Sequence, residues 1–140
     1  MSGDWDRAKA LLSGSERTFA ACRGEQVYDS TRRGVAPLLE LLDRGVSLAG
    51  FSVADRVVGR AAAFLYLRLG AERVYARVMS RPAQQVFADA GVVCACEEWV
   101  PLIRNRTDTD LCPMEKAVLD IRDKDEAEQA IRRRLKELSE

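Results

Sequence analysis

Phe51 to Gly70 reads FSVADRVVGRAAAFLYLRLG, and its interpretation decides the fold. From Val53 to Leu69 almost every helical face is apolar. That pattern predicts one long helix buried against a sheet rather than laid on a surface. Gly59, Ala61, Ala62 and Ala63 are small enough for a sheet to approach closely. The charges gather near the start (Asp55, Arg56, Arg60) and at the end (Arg68). At 17 residues interrupted by Arg60, the run is too short for a good membrane span.

Working outward, the flanking segments read as short strands and helices. Asp4 to Leu12 has an amphipathic stripe of Trp5, Ala8, Leu11 and Leu12, ended by Ser13-Gly14. Glu16–Cys22 and Glu25–Ser30 read as a hairpin around Arg23-Gly24. Val35–Leu42 is a helix with Pro37 in its first turn, where proline is tolerated. Leu48–Ser52 is a connection or short strand. After Gly70 come a strand (Arg73–Met79), a helix opened by Ser80 and Pro82 and closed at Gly91, and a strand (Val92–Cys96). Trp99–Leu111, with Pro101, reads as a long loop, with a short strand at its start as the alternative. Pro113–Ile121 and Asp125–Leu138 are helices. Strand–helix–strand units with short links require parallel neighbours. The fold class expected is α/β: a three-layer α/β/α sandwich with a mixed sheet, one domain over 1–140 with its core at about 16–121.

Composition narrows the function classes. The chain has 140 residues, 47% hydrophobic and 31% charged, with 22 basic and 22 acidic side chains and a net charge of zero. No basic face for nucleic acid is implied. The Met1–Asp6 start has no apolar signal core, so a cytoplasmic protein is expected. No histidine is present, which removes His-dependent triads, His zinc sites and histidine pH switching. Of the four cysteines, Cys22, Cys94, Cys96 and Cys112, only Cys94 and Cys96 are close. A single C-x-C is a weak metal signature. No metal ligand set and no cofactor are expected.

Ligands in such sheets bind beyond the carboxyl ends of parallel strands, where helices begin. Three helix starts therefore draw attention. Ser52 and Asp55 are spaced as a capping box, with Asp55 as a structural cap or as a pocket carboxylate, and Arg56 beside it as an anion contact. Ser80 with Arg81 reads as an ordinary N-cap or as an anion site. Cys112, ahead of Pro113 and Glu115, stands where Ser, Thr, Asp or Asn is usual. It is a packed thiol or a reactive one favoured by the helix terminus. The preceding loop carries Arg104, Asn105 and Arg106, which suit a phosphate or carboxylate, or simply form a solvated tip.

Taken together, Arg33–Leu39, Val53–Ala63, Val78–Ser80, Asn105–Thr107 and Cys112–Glu115 resemble a bacterial family of unknown function, domain-of-unknown-function family 1893. The resemblance implies a cytidine-deaminase-like fold. In deaminases the first of these helix starts carries a zinc-binding His or Cys and a catalytic Glu, and the next carries Pro-Cys-x-x-Cys. Here the corresponding places hold Ala54-Asp55-Arg56 and Ser80-Arg81-Pro82-Ala83, so zinc deaminase chemistry is expected to be absent. Three functional readings stay open. The first is a zinc-free, deaminase-fold protein binding a nucleotide-like or other anionic small molecule through Ser52, Asp55, Arg56, Ser80, Arg81, Arg104, Asn105, Arg106 and Glu115. The second is a thiol enzyme or sulfur carrier with Cys112 as nucleophile and Asp55 or Glu115 assisting. The third is an interaction module that forms a homodimer through its last helix.

Overall fold

The computed structural model describes residues 2–105, 107 and 109–139. Its elements in chain order are α1 (Ser2–Leu12), β1 (Phe19–Arg23), β2 (Gln26–Ser30), α2 (Ala36–Asp43), β3 (Ser52–Val58), α3 (Arg60–Leu69), β4 (Arg73–Ser80), α4 (Arg81–Ala90), β5 (Val93–Val100), α5 (Pro113–Ala117) and α6 (Lys124–Ser139).

The long helix expected over 53–69 is two elements. Ser52–Val58 is a strand, and only Arg60–Leu69 is helical. The physical reason lies in Val53, Val57 and Val58, whose branched side chains favour an extended backbone. A central strand buried on both faces is as uniformly apolar as a buried helix, so periodicity does not separate the two. Gly59, extended at φ −102° and ψ −173°, is the joint between them. Gly70 ends α3 at φ +79°, a left-handed conformation that glycine adopts without a Cβ penalty. The Ser52/Asp55 capping box does not exist, because both residues are in a strand.

The sheet is mixed, in the order β2-β1-β3-β4-β5. β1 pairs antiparallel with β2 (Arg23 opposite Gln26) and with β3 (Phe19 opposite Asp55). β3, β4 and β5 run parallel, joined by crossovers through α3 and α4. Successive strand residues face opposite sides. Cys22 and Ala54 meet Ala8 and Leu12 of α1 on one face, while Ala21, Val53, Val74 and Ala76 join the main core under α2, α3 and α4. Trp5 Nε1 donates to the Val53 carbonyl at 3.0 Å, pinning α1 to the central strand. The α3 side chains Phe64, Leu65, Tyr66 and Leu69 are almost wholly buried, and each large apolar one contributes about 2 kcal/mol. The result is an α/β sandwich of three layers.

Two boundaries and one face bear on the sequence reading. β5 runs on through Trp99 and Val100, which is the alternative of a strand at the start of the expected loop, continuous with the strand before it. α5 stops at Ala117 rather than Ile121. Of the apolar stripe of α6, Ala127 and Ile131 are buried within the chain, where α6 packs on α3 and α5, while Leu138 at its end is exposed. Among the described residues no helix is long and apolar enough to cross a membrane.

Candidate functional site

A cavity of about 310 Å³ opens at the carboxyl end of β3. Its position follows from unequal strand lengths. β1 pairs with β3 only as far as Asp55, with one further bond from the Arg56 N–H to the Thr18 carbonyl at 3.1 Å. Beyond that point β3 keeps β4 on one side, and the place of β1 is left to the cavity. The walls are the start of β1 (Thr18, Phe19), the approach to α2 (Arg33 to Leu38), the end of β3 with the first turn of α3, and Ile103, Cys112, Met114 and Glu115 from the α5 side. This is the carboxyl edge of a parallel strand, where α/β sheets bind ligands.

Asp55 lines this cavity. Its Oδ2 accepts from the Tyr66 hydroxyl at 2.5 Å and its Oδ1 from the Val57 N–H at 3.4 Å. Burial raises its pKa from 3.8 to about 6, against the opposing pull of Tyr66 and of the Val57 and Arg56 amides. Burial and the adjacent Asp55 charge push the Tyr66 phenol well above 10. Tyr66 escaped the sequence reading. It left a signal: a phenol inside the aliphatic run AAAFLYLRL needs a hydrogen-bond partner when buried, and Asp55 is that partner.

Glu115 also reaches the cavity wall, with both oxygens engaged. Oε1 accepts from the Arg60 N–H at 2.7 Å and Oε2 from the Ala61 N–H at 2.8 Å. It therefore caps α3 from 55 residues away in sequence. Burial raises its pKa, while the two amides and Arg60 lower it. The approach depends on Gly59: a Cβ there would stand 2.5 Å from Glu115 Oε1 and 2.8 Å from Ile103 Cγ1. Arg60 completes the joint, its guanidinium donating to the carbonyls of Val118 (3.1 Å) and Ile121.

The remaining candidates divide. Arg56 lines the cavity, but its Nη2 donates to the Ser15 carbonyl at 2.6 Å, and its buried Nε has no partner among the described residues. Cys112 lines the cavity as the N-cap of α5 and makes no capping bond. A five-residue helix also carries less macrodipole than the nine-residue one expected. Ser52 is buried at the other end of β3, paired with Cys22 and Arg73. Ser80 is buried and caps α4 by accepting from the Ala83 N–H at 3.2 Å. Arg81 lies over the Trp99 ring at 4.6 Å and donates to Gln84 at 3.0 Å. Asn105 closes its own loop, its Oδ1 accepting from the Thr109 N–H at 3.0 Å, and Arg104 bridges to Leu111. None of Ser52, Ser80, Arg81, Arg104 or Asn105 lines the cavity, and Arg106 is outside the described residues. The expected gathering of three helix starts is replaced by one strand end and the starts of α2, α3 and α5. Arg33, at the cavity mouth, was legible only within the resembling segment Arg33–Leu39. Among the described residues no three Cys, Asp or Glu side chains come together as a metal site.

Comparison with known proteins agrees with this architecture. No curated protein matches the chain. A crystal structure of a DUF1893 family protein from Thermotoga maritima superimposes with a TM-score of 0.84 at 27% identity, covering 98% of this chain and 91% of that one. The sequence model described as "Domain of unknown function (DUF1893)" matches residues 7–135. The chain thus belongs to the DUF1893 family.

Proposed function

We propose that this protein binds a compact, nucleotide-like small molecule in the cavity at the end of β3, on a cytidine-deaminase-like scaffold that works without zinc. The observation carrying this reading is Asp55, an ionisable carboxylate held by Tyr66 in a largely apolar cavity. Apolar walls with a few convergent polar groups and a perturbed acid are the marks of a binding site. At about 310 Å³ the space is at the low end of such pockets, roughly 300–1,000 Å³. Phe19, Leu38 and Met114 offer surfaces for a ring, and Arg33 at the mouth offers a charge for an anionic group. A hairpin followed by parallel strands in the order β2-β1-β3-β4-β5 supports the deaminase-like part. The corrected helix start of α3 is Gly59-Arg60-Ala61, which supplies no zinc ligand any more than Ala54-Asp55-Arg56 does. The residues present do not fit that metal.

Thermal-shift screening with nucleotides, nucleobases and phosphorylated metabolites tests the reading. A stabilising ligand whose effect is lost in a cavity-filling Ala62→Leu variant is expected. No stabilisation by any of them, with a solved structure in which side chains fill the cavity, would overturn it. Cys112 on the same wall favours a second reading, covalent chemistry at its thiol. Rapid alkylation by iodoacetamide at neutral pH, suppressed by a cavity ligand, is its expected sign, and an inert Cys112 removes it.

A further inference from the structure

We infer that the inner end of the cavity takes a flat, cationic N–H donor (an amidine, a guanidine or a protonated ring amine) paired with the Asp55 carboxylate. The inference rests on the ligand-binding reading above and names the chemistry of the ligand's buried end. The charges around the cavity are unequal in their commitments. Glu115 has both oxygens on backbone amides of α3. Arg56 donates to the Ser15 carbonyl. Arg33 is exposed at the mouth. Asp55 alone combines a negative charge, a place on the inner wall and acceptor capacity to spare. A carboxylate has about four lone-pair sites, and here one strong and one long hydrogen bond fill two. Among the described residues no lysine or arginine pairs with it; the Tyr66 hydroxyl and two backbone amides support its charge.

A charge taken out of water without a partner is unfavourable, and a protein answers by neutralising it or by pairing it. A ligand cation is the missing partner. An amidinium presents two parallel N–H groups that match a carboxylate's two oxygens, and its flat body suits the walls formed by Phe19, Leu38 and Met114. Tyr66 from α3 bonds Asp55 directly, and the other titratable and charged groups lining the same cavity are Arg56 on β3, Arg33 before α2, and Cys112 and Glu115 from the α5 side. Tyr66 stays a neutral donor throughout the physiological range. Asp55 is then the group whose ionisation gates pairing near pH 6.

Isothermal titration of the full chain with benzamidine, benzamide and benzoate tests the assignment, since the three share size and shape and differ in charge. Benzamidine is expected to bind about tenfold tighter than benzamide at pH 8, as one charge-assisted pair allows. The advantage should shrink about tenfold by pH 5 as Asp55 takes up a proton. Asp55→Asn should abolish the preference. Benzoate binding best, or a preference that survives Asp55→Asn, overturns the cationic assignment and leaves the cavity reading standing. So does binding of a screened metabolite but of none of the three probes. If neither the probes nor any metabolite binds, both readings fall. Should Asp55→Asn not fold, the native chain decides: a benzamidine preference equal at pH 5 and pH 8 contradicts the inference.

Discussion

The starts of α3 and α4 are built from similar parts and end up doing different work. α4 is capped locally: Ser80 sits one residue ahead of the helix, accepts from Ala83, and is wholly buried beside Pro82 and the Arg81–Trp99 stack. Nothing is left over at that joint. α3 has no local cap. Gly59 contributes no side chain, and the two leading amides are satisfied by Glu115 from the far side of the chain. Because that cap comes from α5, it also holds α5 against the cavity beside Asp55. A local cap makes a closed structural corner. A distant cap brings a second segment with it, and the space between the two segments is where a ligand fits.

Five substitutions test the contrast. The largest effect belongs to Gly59→Ala, since the new Cβ would collide with Glu115 and Ile103. A loss of about 3 kcal/mol in urea denaturation is expected, and a loss under about 1 kcal/mol would mean the joint yields easily. Glu115→Ala leaves two buried amides without acceptors and is expected to remove about 2–3 kcal/mol. Glu115→Gln, which keeps one good acceptor, should lose less than Glu115→Ala; equal losses would deny the capping role.

Asp55→Asn acts in the opposite direction at high pH. The folded pKa of Asp55 is raised, so the native state binds its proton more tightly than the unfolded chain. The stability this confers is fully present below about 3.8 and lost as pH rises through about 6. Removing the charge should therefore stabilise the protein at pH 8 by on the order of 2 kcal/mol. The gain should fade toward pH 4, as melting curves across that range would show. A pH-independent effect would break the argument. Ser80→Ala, the comparison at the ordinary joint, is expected to lose about 1 kcal/mol at every pH, and a pH-dependent loss would mean that the α4 start is no simple cap.

Much of this fold was legible from local chemistry. Gly14, Gly70 and Gly91 placed helix ends, Arg23-Gly24 placed the hairpin, and Ser80 before Pro82 placed the start of α4. Each signal is contained within a few residues. What stayed hidden was set by distant contacts. Val53–Val58 read as helix because Val53 and Ala54 are buried on opposite faces and Val57 is apolar though exposed, so no alternation marks the strand. The cap of α3 could not be read because it lies at Glu115. Asp55 was singled out for a wrong local reason, as a helix cap, and reaches the cavity through β3 instead. Ser52, Ser80 and Arg81 were grouped with it by motif spacing, while the strand register holds them elsewhere.

β3 delivers a carboxylate into a cavity where, among the described residues, no lysine or arginine pairs with it. The most direct test is an NMR titration of the Asp55 side-chain carboxyl in the ligand-free protein. A midpoint near pH 6 is expected, with Tyr66 neutral throughout. A midpoint at the ordinary value of about 3.8 would contradict it, because it would place Asp55 in water or beside a cation.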